Sequence, residues 1–294
     1  MKRVLITGGL GVLAKAVIKK FEELGRYNIF ISSRRNNNDN NLICDVTDPN
    51  QFLNTMQYTD PDIIIHLAAT YSGHFKDAYQ TNVQSTKYIL DYVKDSKKHI
   101  RVLIIGSAAE YGMVKSDDNP ILEEQLLNPV SVYGITKSWQ SLLMGMYVNS
   151  GVDVVCARIF NLYGEGISNH LFVGYLNNQI EEVLSGKQSK IEVGNLSNVR
   201  DYISVTEAAQ KIINIIFYGK AGNVYNVASG IPIVMRDFAI NLLNLNGLDS
   251  SVLREKETFF HRSNTDVPII FADTKKATAL KNVSTYYENE NESK

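Results

Sequence analysis

The chain has 294 residues, of which 44% are hydrophobic and 21% are charged, and this composition excludes a disordered, collagen-like or disulfide-rich protein. The 30 Lys and Arg residues nearly balance the 31 Asp and Glu residues, so the charge gives no reason to expect a nucleic-acid or membrane partner. A local basic pocket for a small anionic ligand remains compatible with this balance.

The two cysteines, Cys44 and Cys156, lie in apolar stretches, which is typical of reduced thiols in the core of a cytoplasmic protein. The sequence lacks the paired Cys or His spacing of a zinc site, so we expect no metal. It begins directly in a predicted strand and has no apolar run near the roughly 18 residues that cross a bilayer. We therefore predict no targeting segment and no membrane partner.

Strands and helices alternate through the first half of the chain. An apolar strand at 4–6 is followed by a helical pattern over 12–24, which ends at Gly25, a common helix terminator. Such alternation implies βαβ crossovers and a doubly wound parallel sheet, so the predicted fold class is α/β of the Rossmann type. Further strands are predicted at 29–31, 62–69, 102–105 and 152–156, and long helices at 82–98 and 131–149.

A glycine-rich turn, residues 8–11, connects the first strand to the first helix. Glycine lets a chain turn tightly and approach a phosphate, and the N-terminus of the following helix offers free N–H groups and the positive end of its dipole. Ala14 replaces the usual third glycine at a position that needs only a small side chain. The turn predicts a bound dinucleotide that contacts Gly8, Gly11, Val12 and Leu13.

The end of the second strand carries the signal for which dinucleotide is bound. An acidic residue there would bind the ribose hydroxyls of NAD, but the chain has Ser32-Ser33-Arg34-Arg35 and no carboxylate until Asp39. Hydroxyl and guanidinium groups suit the 2′-phosphate of NADP. We therefore favour NADP(H) as the cofactor, with Ser33 and Arg34 as contacts; the alternative is that both arginines are solvated in a loop.

Tyr133 and Lys137 are four residues apart in the helix predicted at 131–149, so their side chains share one face. A tyrosine is a poor acid or base at neutral pH unless its phenolate is stabilised, and a nearby ammonium together with a positively charged nicotinamide would lower its pKa. A Tyr-x-x-x-Lys pair is common by chance, so its meaning depends on the glycine turn and on the other motifs.

These features resemble the extended short-chain dehydrogenase/reductases of the NAD-dependent epimerase/dehydratase family, which act on nucleotide sugars. Within that family, the runs 193–201 and 261–268 are most similar to those of GDP-6-deoxy-4-keto-mannose reductases. The segments that carry the family resemblance are 7–11, 44–48, 61–69, 82–83, 106–112, 158–164, 194–202 and 225–230, together with Tyr133 and Lys137.

The resemblance implies a role for each matched residue. Ser107 would hydrogen-bond the reacting sugar oxygen, Tyr133 would transfer the proton, and Lys137 would hold the nicotinamide ribose and lower the pKa of Tyr133. The other implied cofactor contacts are Asp45, Val46, Leu67, Ala68, Ala69 and Ile159, and the implied substrate contacts are Ser107, Ala108, Asn161, Arg200 and Arg262.

Three further polar residues have structural alternatives. Arg200 either holds the sugar nucleotide or forms an ion pair with Asp201 or another carboxylate. Asn82 is expected to lock a strand end through its side chain, and His170 is expected to be a pocket or surface residue.

The family resemblance also implies two domains. The alternation of strands and helices weakens after residue 165, which is where we place the boundary between them. Residues 1–165 are predicted to form an NADP-binding Rossmann domain, with a return segment near 200–228. Residues 166–199 and 229–294 are predicted to form a smaller C-terminal α/β domain that binds the substrate.

The residues after Ser107 separate the reactions of the family. The 4,6-dehydratases of the family carry an acid/base pair at the two positions that Ala108 and Ala109 occupy in this chain. The alanine side chains cannot donate or accept a proton, and Glu110 lies one position too late in the sequence to replace the pair. Enzymes similar to GDP-fucose synthase place a Cys at the position of Ala109, paired with a His, and this chain lacks the Cys. Dehydration and two-base epimerisation are therefore disfavoured.

We therefore expect NADPH-dependent reduction of the 4-keto group of a nucleotide-linked 4-keto-6-deoxy sugar, in the synthesis of surface polysaccharide precursors such as those of lipopolysaccharide. A GDP-sugar is favoured, but the spacing from Arg262 to Asp266 is one residue longer than in the GDP-sugar reductases, so CDP- and dTDP-sugars remain open. The alternatives are a 4-epimerase with tightly bound NAD and, less favoured because Ser107, Tyr133 and Lys137 are intact, a non-catalytic cofactor sensor.

The helices predicted at 82–98 and 131–149 carry apolar residues on more than one face. The resemblance implies that these helices pair across a homodimer. The alternative is that both faces are buried within one subunit.

Overall fold

The computed structural model describes residues 1–35, 41–256 and 267–283. Its strands in chain order are β1 (Lys2–Thr7), β2 (Tyr27–Ser33), β3 (Asn41–Ile43), β4 (Ile63–His66), β5 (Arg101–Ser107), β6 (Val154–Ile159), β7 (Asn161–Tyr163), β8 (Ile191–Val193), β9 (Val199–Ser204), β10 (Val224–Val227), β11 (Pro232–Val234) and β12 (Leu253–Glu255). Its α-helices are α1 (Val12–Leu24), α2 (Pro49–Thr59), α3 (Phe75–Ala78), α4 (Ser85–Asp95), α5 (Val132–Val148), α6 (Phe172–Leu184), α7 (Val205–Tyr218), α8 (Met235–Leu245) and α9 (Lys275–Thr278).

A seven-stranded parallel sheet forms the centre of the fold, in the order β10-β6-β5-β4-β1-β2-β3. Because each pair of neighbours in this sheet is parallel, the chain crosses over between strands, as the alternation of elements predicts. The chain moves outward from β1 to β3 and then restarts on the other side at β4. This reversal defines a doubly wound sheet and confirms the predicted Rossmann fold class.

Helices cover both faces of the sheet, and each face has its own apolar core. On one face α1 and α7 contribute Phe21 and Ile212, and on the other α2, α4 and α5 contribute Met56, Ile89 and Met144. Strand β4 is buried along its whole length between these layers. This burial explains why its sequence is a continuous apolar run instead of an alternating one.

The smaller part of the structure contains two short sheets, β11-β9-β7 and β12-β8, together with α6 and α8. A separate apolar cluster that includes Leu176, Ile180 and Leu243 holds α6 and α8 against these strands. Between these elements, α7 and β10 return to the central sheet, where β10 pairs with β6. Throughout the three described segments, no helix is long and apolar enough to cross a membrane.

The helix predicted at 131–149 is confirmed as α5, which begins after Ser131, whose hydroxyl accepts a hydrogen bond from the N–H of Gly134 at 3.0 Å. The helix predicted at 82–98 is wrong at its start. Helical structure already begins at α3 and continues through a π-helical turn, Tyr79–Gln84, into α4. The π-helical turn interrupts the 3.6-residue period of apolar positions on which the prediction rests.

Candidate active site

A cavity of about 950 Å³ opens at the carboxyl edge of the central sheet. Its walls come from the turn after β1, the ends of β2, β4, β5 and β6, and the start of α5. Open parallel sheets bind their ligands at this edge, where the strand order reverses. The residues singled out from the sequence that line the cavity are Gly8, Gly11, Val12, Leu13, Ser33, Arg34, Asp45, Val46, Leu67, Ala68, Ala69, Ser107, Ala108, Tyr133, Ile159, Asn161 and Arg200.

The glycine turn brings backbone close to the cavity. Gly8 has a φ of +68°, and a Cβ at this residue would lie 2.7 Å from the backbone nitrogen of Ala68, so a larger residue fits neither the conformation nor the space. The N–H of Gly11 donates to the carbonyl of Gly8 at 3.0 Å, and α1 begins at the next residue, Val12. The first turn of α1 therefore presents its N–H groups at the cavity edge, an arrangement that fits a dinucleotide pyrophosphate.

Serine and arginine residues line the cavity where β2 ends. Ser33 is buried and donates to the carbonyl of Arg35 at 2.5 Å, whereas Arg34 and Arg35 are exposed. Across this end of the cavity, a carboxylate oxygen of Asp45 accepts from the N–H and the hydroxyl of Thr47, at 2.9 and 2.7 Å. Two guanidinium groups at this edge give it the positive charge that a ribose phosphate requires. Asp39 lies outside the described residues.

The three predicted catalytic residues come from two neighbouring elements. Ser107 ends β5, Tyr133 lies in the first turn of α5, and Lys137 lies one turn further along that helix. The hydroxyl of Ser107 accepts from the N–H of Ala109 at 3.2 Å, which fixes its direction. Burial raises the pKa of Tyr133 well above its ordinary value, and a hydrogen bond with Ser107 opposes that rise. Tyr133 is therefore held as a protonated phenol at neutral pH.

Lys137 is 1% exposed and lies deeper than Tyr133. Its ammonium donates to the carbonyl of Ile105 and to the side chain of Gln140, each at 2.8 Å, and it lies 6.0 Å from the centre of the Tyr133 ring. Burial lowers the pKa of Lys137 to about 8, an effect that the negative charge of Glu110 opposes. Burial of the phenol dominates in the chain by itself, so the expected lowering of the pKa of Tyr133 requires the positively charged nicotinamide and stays a prediction.

A buried carboxylate supports the end of β5 from behind. Glu110 is fully buried and accepts from the N–H of Ser107 at 2.8 Å, the hydroxyl of Ser141 at 2.6 Å and the Nε of Arg158 at 2.9 Å. A Cβ at Gly106 would lie 2.5 Å from an oxygen of Glu110, so this glycine makes room for the carboxylate. Glu110 thus has a structural role, because it pairs with Arg158 and fixes the backbone of Ser107.

The far end of the cavity is formed by β7 and β9. The side chain of Asn161 donates to the carbonyl of Asp201 at 3.0 Å, and the guanidinium of Arg200 donates to the carbonyl of Val199 at 2.9 Å. The carboxylate of Asp201 accepts from the N–H groups of Ser229 at 2.8 Å and of the next residue, Gly230, at 2.9 Å. Asp201 thus holds the turn that follows β10.

The remaining polar residues singled out from the sequence lie outside the cavity wall or outside the described segments. Asn82 is fully buried and ties Thr70, in the loop after β4, to Thr136 of α5, which agrees with the structural role expected for it. His170 is an exposed residue whose N–H donates to Ser168 at 3.4 Å. Arg262, an expected substrate contact, lies outside the described residues.

The structure adds aromatic residues that the sequence motifs did not single out for this site. Tyr71, in the loop after β4, lines the cavity and packs on the ring of Tyr133. Tyr202 of β9 and Phe172 at the start of α6 also line it. Tyr71 could have been predicted as a site residue from its position shortly after a buried strand, because ligands bind at the carboxyl edge of a parallel sheet. In the described segments, no cluster of three or more His, Cys, Asp or Glu is placed to hold a metal.

The fold and the site define a Rossmann protein in which Ser107 and Tyr133 line a cavity at the carboxyl edge of the sheet and Lys137 lies buried behind them. The chain belongs to the NAD dependent epimerase/dehydratase family, which it matches over residues 4–228. That match begins in β1 and ends after β10, so it contains the glycine turn and all three residues expected to be catalytic.

Two curated relatives act on GDP-sugars. The GDP-6-deoxy-D-mannose reductase of Pseudomonas aeruginosa is 29% identical over 202 residues, a match that spans 66% of this chain and 66% of the relative, just under two thirds of its length. The GDP-6-deoxy-D-talose 4-dehydrogenase of Aggregatibacter actinomycetemcomitans is 26% identical over 280 residues, which is 93% of this chain and 89% of the relative.

Solved structures support the fold. The protein RMD of Pseudomonas aeruginosa, complexed with NADPH, has a TM-score of 0.80 at 22% identity, with 96% of this chain and 92% of that chain covered. A UDP-glucose 4-epimerase of Thermotoga maritima with UDP-glucose has a TM-score of 0.82 at 20% identity, with 95% and 93% covered. The chain thus shares its family and its fold with enzymes that act on nucleotide sugars.

Proposed function

We propose that the protein is an NADPH-dependent reductase of the 4-keto group of a nucleotide-linked 4-keto-6-deoxy sugar. The observation that carries the proposal is the composition of the site around Ser107 and Tyr133. A hydroxyl and a protonated phenol occupy the positions that serve a carbonyl oxygen, whereas Ala108 and Ala109 occupy the positions at which a dehydratase needs an acid and a base. Reduction of a ketone needs only the hydroxyl of Ser107 and the phenol of Tyr133.

The mechanism assigns one task to each residue. When bound, NADPH supplies the hydride that reduces carbon 4 of the sugar. Tyr133 donates its proton to the oxygen of the reduced carbonyl, and Ser107 hydrogen-bonds the same oxygen and stabilises its developing negative charge. Lys137, held by Ile105 and Gln140, places a positive charge behind the phenol and so stabilises the phenolate that remains.

The choice of NADP(H) rests on the end of β2. Arg34 lines the cavity there beside Ser33, and the guanidinium group offers several N–H donors to a dianionic 2′-phosphate. The backbone of the glycine turn fits the shared pyrophosphate of either dinucleotide, so it does not distinguish NADP from NAD. A reductase also needs a cofactor that exchanges at each turnover. Cells keep their NADP(H) pool largely in the reduced form, NADPH, which suits a reductase.

The substrate is proposed to be a GDP-sugar, because both curated relatives described above act on GDP-linked 6-deoxy sugars. Arg200 and Asn161 are proposed to hold the sugar nucleotide at the far end of the cavity. The product class is a nucleotide-linked 6-deoxyhexose for a surface polysaccharide such as lipopolysaccharide. We place the reaction in the cytoplasm, in keeping with the free and buried thiols of Cys44 and Cys156.

We further propose that the protein is a homodimer, paired through the surface formed by α3, α5 and the π-helical turn between α3 and α4. Phe75 and Trp139 contact each other edge to face at 5.7 Å, and both are more than 40% exposed. Leu142 and Met146 continue the exposed apolar stripe along α5, one turn and two turns beyond Trp139. An apolar patch of this kind is typical of a subunit interface.

The test of the reaction is a panel of GDP-, CDP- and dTDP-linked 4-keto-6-deoxy sugars, each incubated with the purified protein and NADPH. The proposal predicts loss of NADPH absorbance with at least one member, with the GDP-sugar turned over fastest. The 4-epimerase alternative predicts instead that the purified protein carries bound NAD and that NADPH absorbance stays constant with every sugar.

A further inference from the structure

The exposed aromatic residue Tyr71 lies directly on the catalytic tyrosine. The centres of the Tyr71 and Tyr133 rings are 4.3 Å apart, with 32° between the ring planes. Both side chains line the cavity, and Tyr71 is 57% exposed. Tyr71 also contributes to the raised pKa of Tyr133, after the larger effect of burial.

The loop that carries Tyr71 is fastened to the helix that carries Tyr133. The side chain of Asn82 accepts from the N–H of Thr70 at 3.0 Å, donates to the carbonyl of Thr70 at 3.2 Å and donates to the hydroxyl of Thr136 at 3.0 Å. Thr70 precedes Tyr71, and Thr136 lies on α5 three residues after Tyr133. The ring contact is therefore built into the fold, since one buried amide holds both sides of it.

The proposed reaction needs a route for protons. Each reduction consumes one proton from solvent, because the hydride supplies only two electrons and one hydrogen. Tyr133 gives its proton to the substrate and must recover one before the next turnover. Lys137 is 1% exposed and donates to groups inside the protein, whereas Tyr71 is more than half exposed and touches Tyr133. Tyr71 thus places a second, solvent-exposed phenol directly beside the proton donor.

We propose that the hydroxyl of Tyr71 is a second catalytic group, which returns a proton from solvent to Tyr133 after each turnover. In this step the O–H bond of Tyr71 breaks and its proton forms the O–H bond of the Tyr133 phenolate. Tyr71 takes a proton from a water or buffer acid at the cavity mouth, so it ends unchanged. The sum is one ketone, one NADPH and one solvent proton converted to one alcohol and one NADP⁺. This inference rests on the proposed ketoreductase function.

The test compares Tyr71→Phe, which keeps the ring contact and removes only the hydroxyl, with wild type and with the control Tyr58→Phe. Tyr58 is a surface tyrosine of α2, 67% exposed and absent from the cavity wall among the described residues. Tyr71→Phe is expected to lower kcat about tenfold or more with KM nearly unchanged, because loss of an acid/base group slows proton transfer. The solvent deuterium isotope effect on kcat is expected to increase. Tyr58→Phe is expected to match wild type.

A second readout separates proton transfer from simple packing. In Tyr71→Phe, kcat is expected to rise with the concentration of imidazole buffer, since a small acid replaces the missing hydroxyl, whereas the wild-type kcat does not depend on it. A wild-type kcat for Tyr71→Phe, or a change in KM alone, overturns the inference. If Tyr133→Phe is inactive while Tyr71→Phe is fully active, only this inference fails. If wild type reduces no keto-sugar of the panel, the proposed function fails and this inference fails with it.

Discussion

The carboxylate of Glu110 lies 2.9 Å from the Nε of Arg158, with both side chains almost wholly buried behind the end of β5. The same carboxylate accepts the N–H of Ser107, so a buried ion pair directly supports a catalytic residue. The negative charge of Glu110 also acts on Lys137, where it opposes the fall in pKa that burial causes. One carboxylate behind the site thus influences both the position of Ser107 and the charge of Lys137.

Replacement of Glu110 by Gln is expected to destabilise the protein strongly. The amide keeps the shape of the side chain but leaves the guanidinium of Arg158 buried without a counter-charge, which costs about 3–5 kcal/mol. The measurement is the free energy of unfolding from urea denaturation. The control is Glu124→Gln, which removes an exposed ion pair with Lys276 and is expected to cost less than about 1 kcal/mol. Equal losses in the two variants would show that Arg158 does not depend on Glu110.

Replacement of Tyr133 by Phe is expected to reduce turnover by about 100-fold or more, because it removes the proton donor and leaves the ring in place. Binding of NADPH, followed by its fluorescence, is expected to stay within about twofold of wild type, since the variant leaves the glycine turn and Lys137 untouched. A variant with nearly normal turnover would mean that another group protonates the substrate oxygen.

Replacement of Arg34 by Ala is expected to weaken NADPH binding by about tenfold to 100-fold and to leave NADH binding nearly unchanged, because a charge-assisted contact to a phosphate contributes roughly 1.5–3 kcal/mol. The measurement is the dissociation constant of each cofactor. The matched control is Arg254→Ala on β12, an exposed arginine that does not line the described part of the cavity. Equal weakening of NADPH and NADH by Arg34→Ala would refute the assignment of the 2′-phosphate to this residue.

The buried Lys137 predicts a pH dependence of stability. Its pKa is about 8 in the folded protein and about 10.4 in an unfolded chain, so between these values the unfolded chain binds the additional proton. The free energy of unfolding therefore increases as the pH rises from about 8 to about 10. Lys137→Met lacks this contribution.

The stability difference between wild type and Lys137→Met is expected to shift by about 2–3 kcal/mol in favour of wild type over this pH range. Urea denaturation at several pH values measures it, and other titrating groups cancel because both proteins carry them. A difference that stays constant with pH would place the pKa of Lys137 at its ordinary value.

The sequence was sufficient to predict the elements whose chemistry is local. The glycine turn, the Ser33-Arg34 pair and the Tyr133/Lys137 spacing depend on neighbours within one turn or one strand end, and all except Lys137 line one cavity. The alternation of strands and helices predicted the sheet, because parallel strands require crossovers.

Other parts of the site depend on contacts between distant segments, which the motifs do not encode. The packing of Tyr71 on Tyr133 arises because Asn82 fastens one loop to another helix through its side chain. The π-helical turn that contains Asn82 shifted the helical period and gave the prediction at 82–98 a wrong start. The pKa of Tyr133 depends on how deeply its hydroxyl is buried, a property of the assembled site.

The central claim is hydride transfer from NADPH to carbon 4 of a keto-sugar. The most direct measurement uses NADPH with deuterium on the transferred position of the nicotinamide, a GDP-linked 4-keto-6-deoxy sugar as substrate, and mass spectrometry with NMR on the product. The account predicts one deuterium per product molecule, bound to carbon 4 of the sugar. An unlabelled product, or one formed without consumption of NADPH, would contradict it and would point to an enzyme that recycles a tightly bound cofactor.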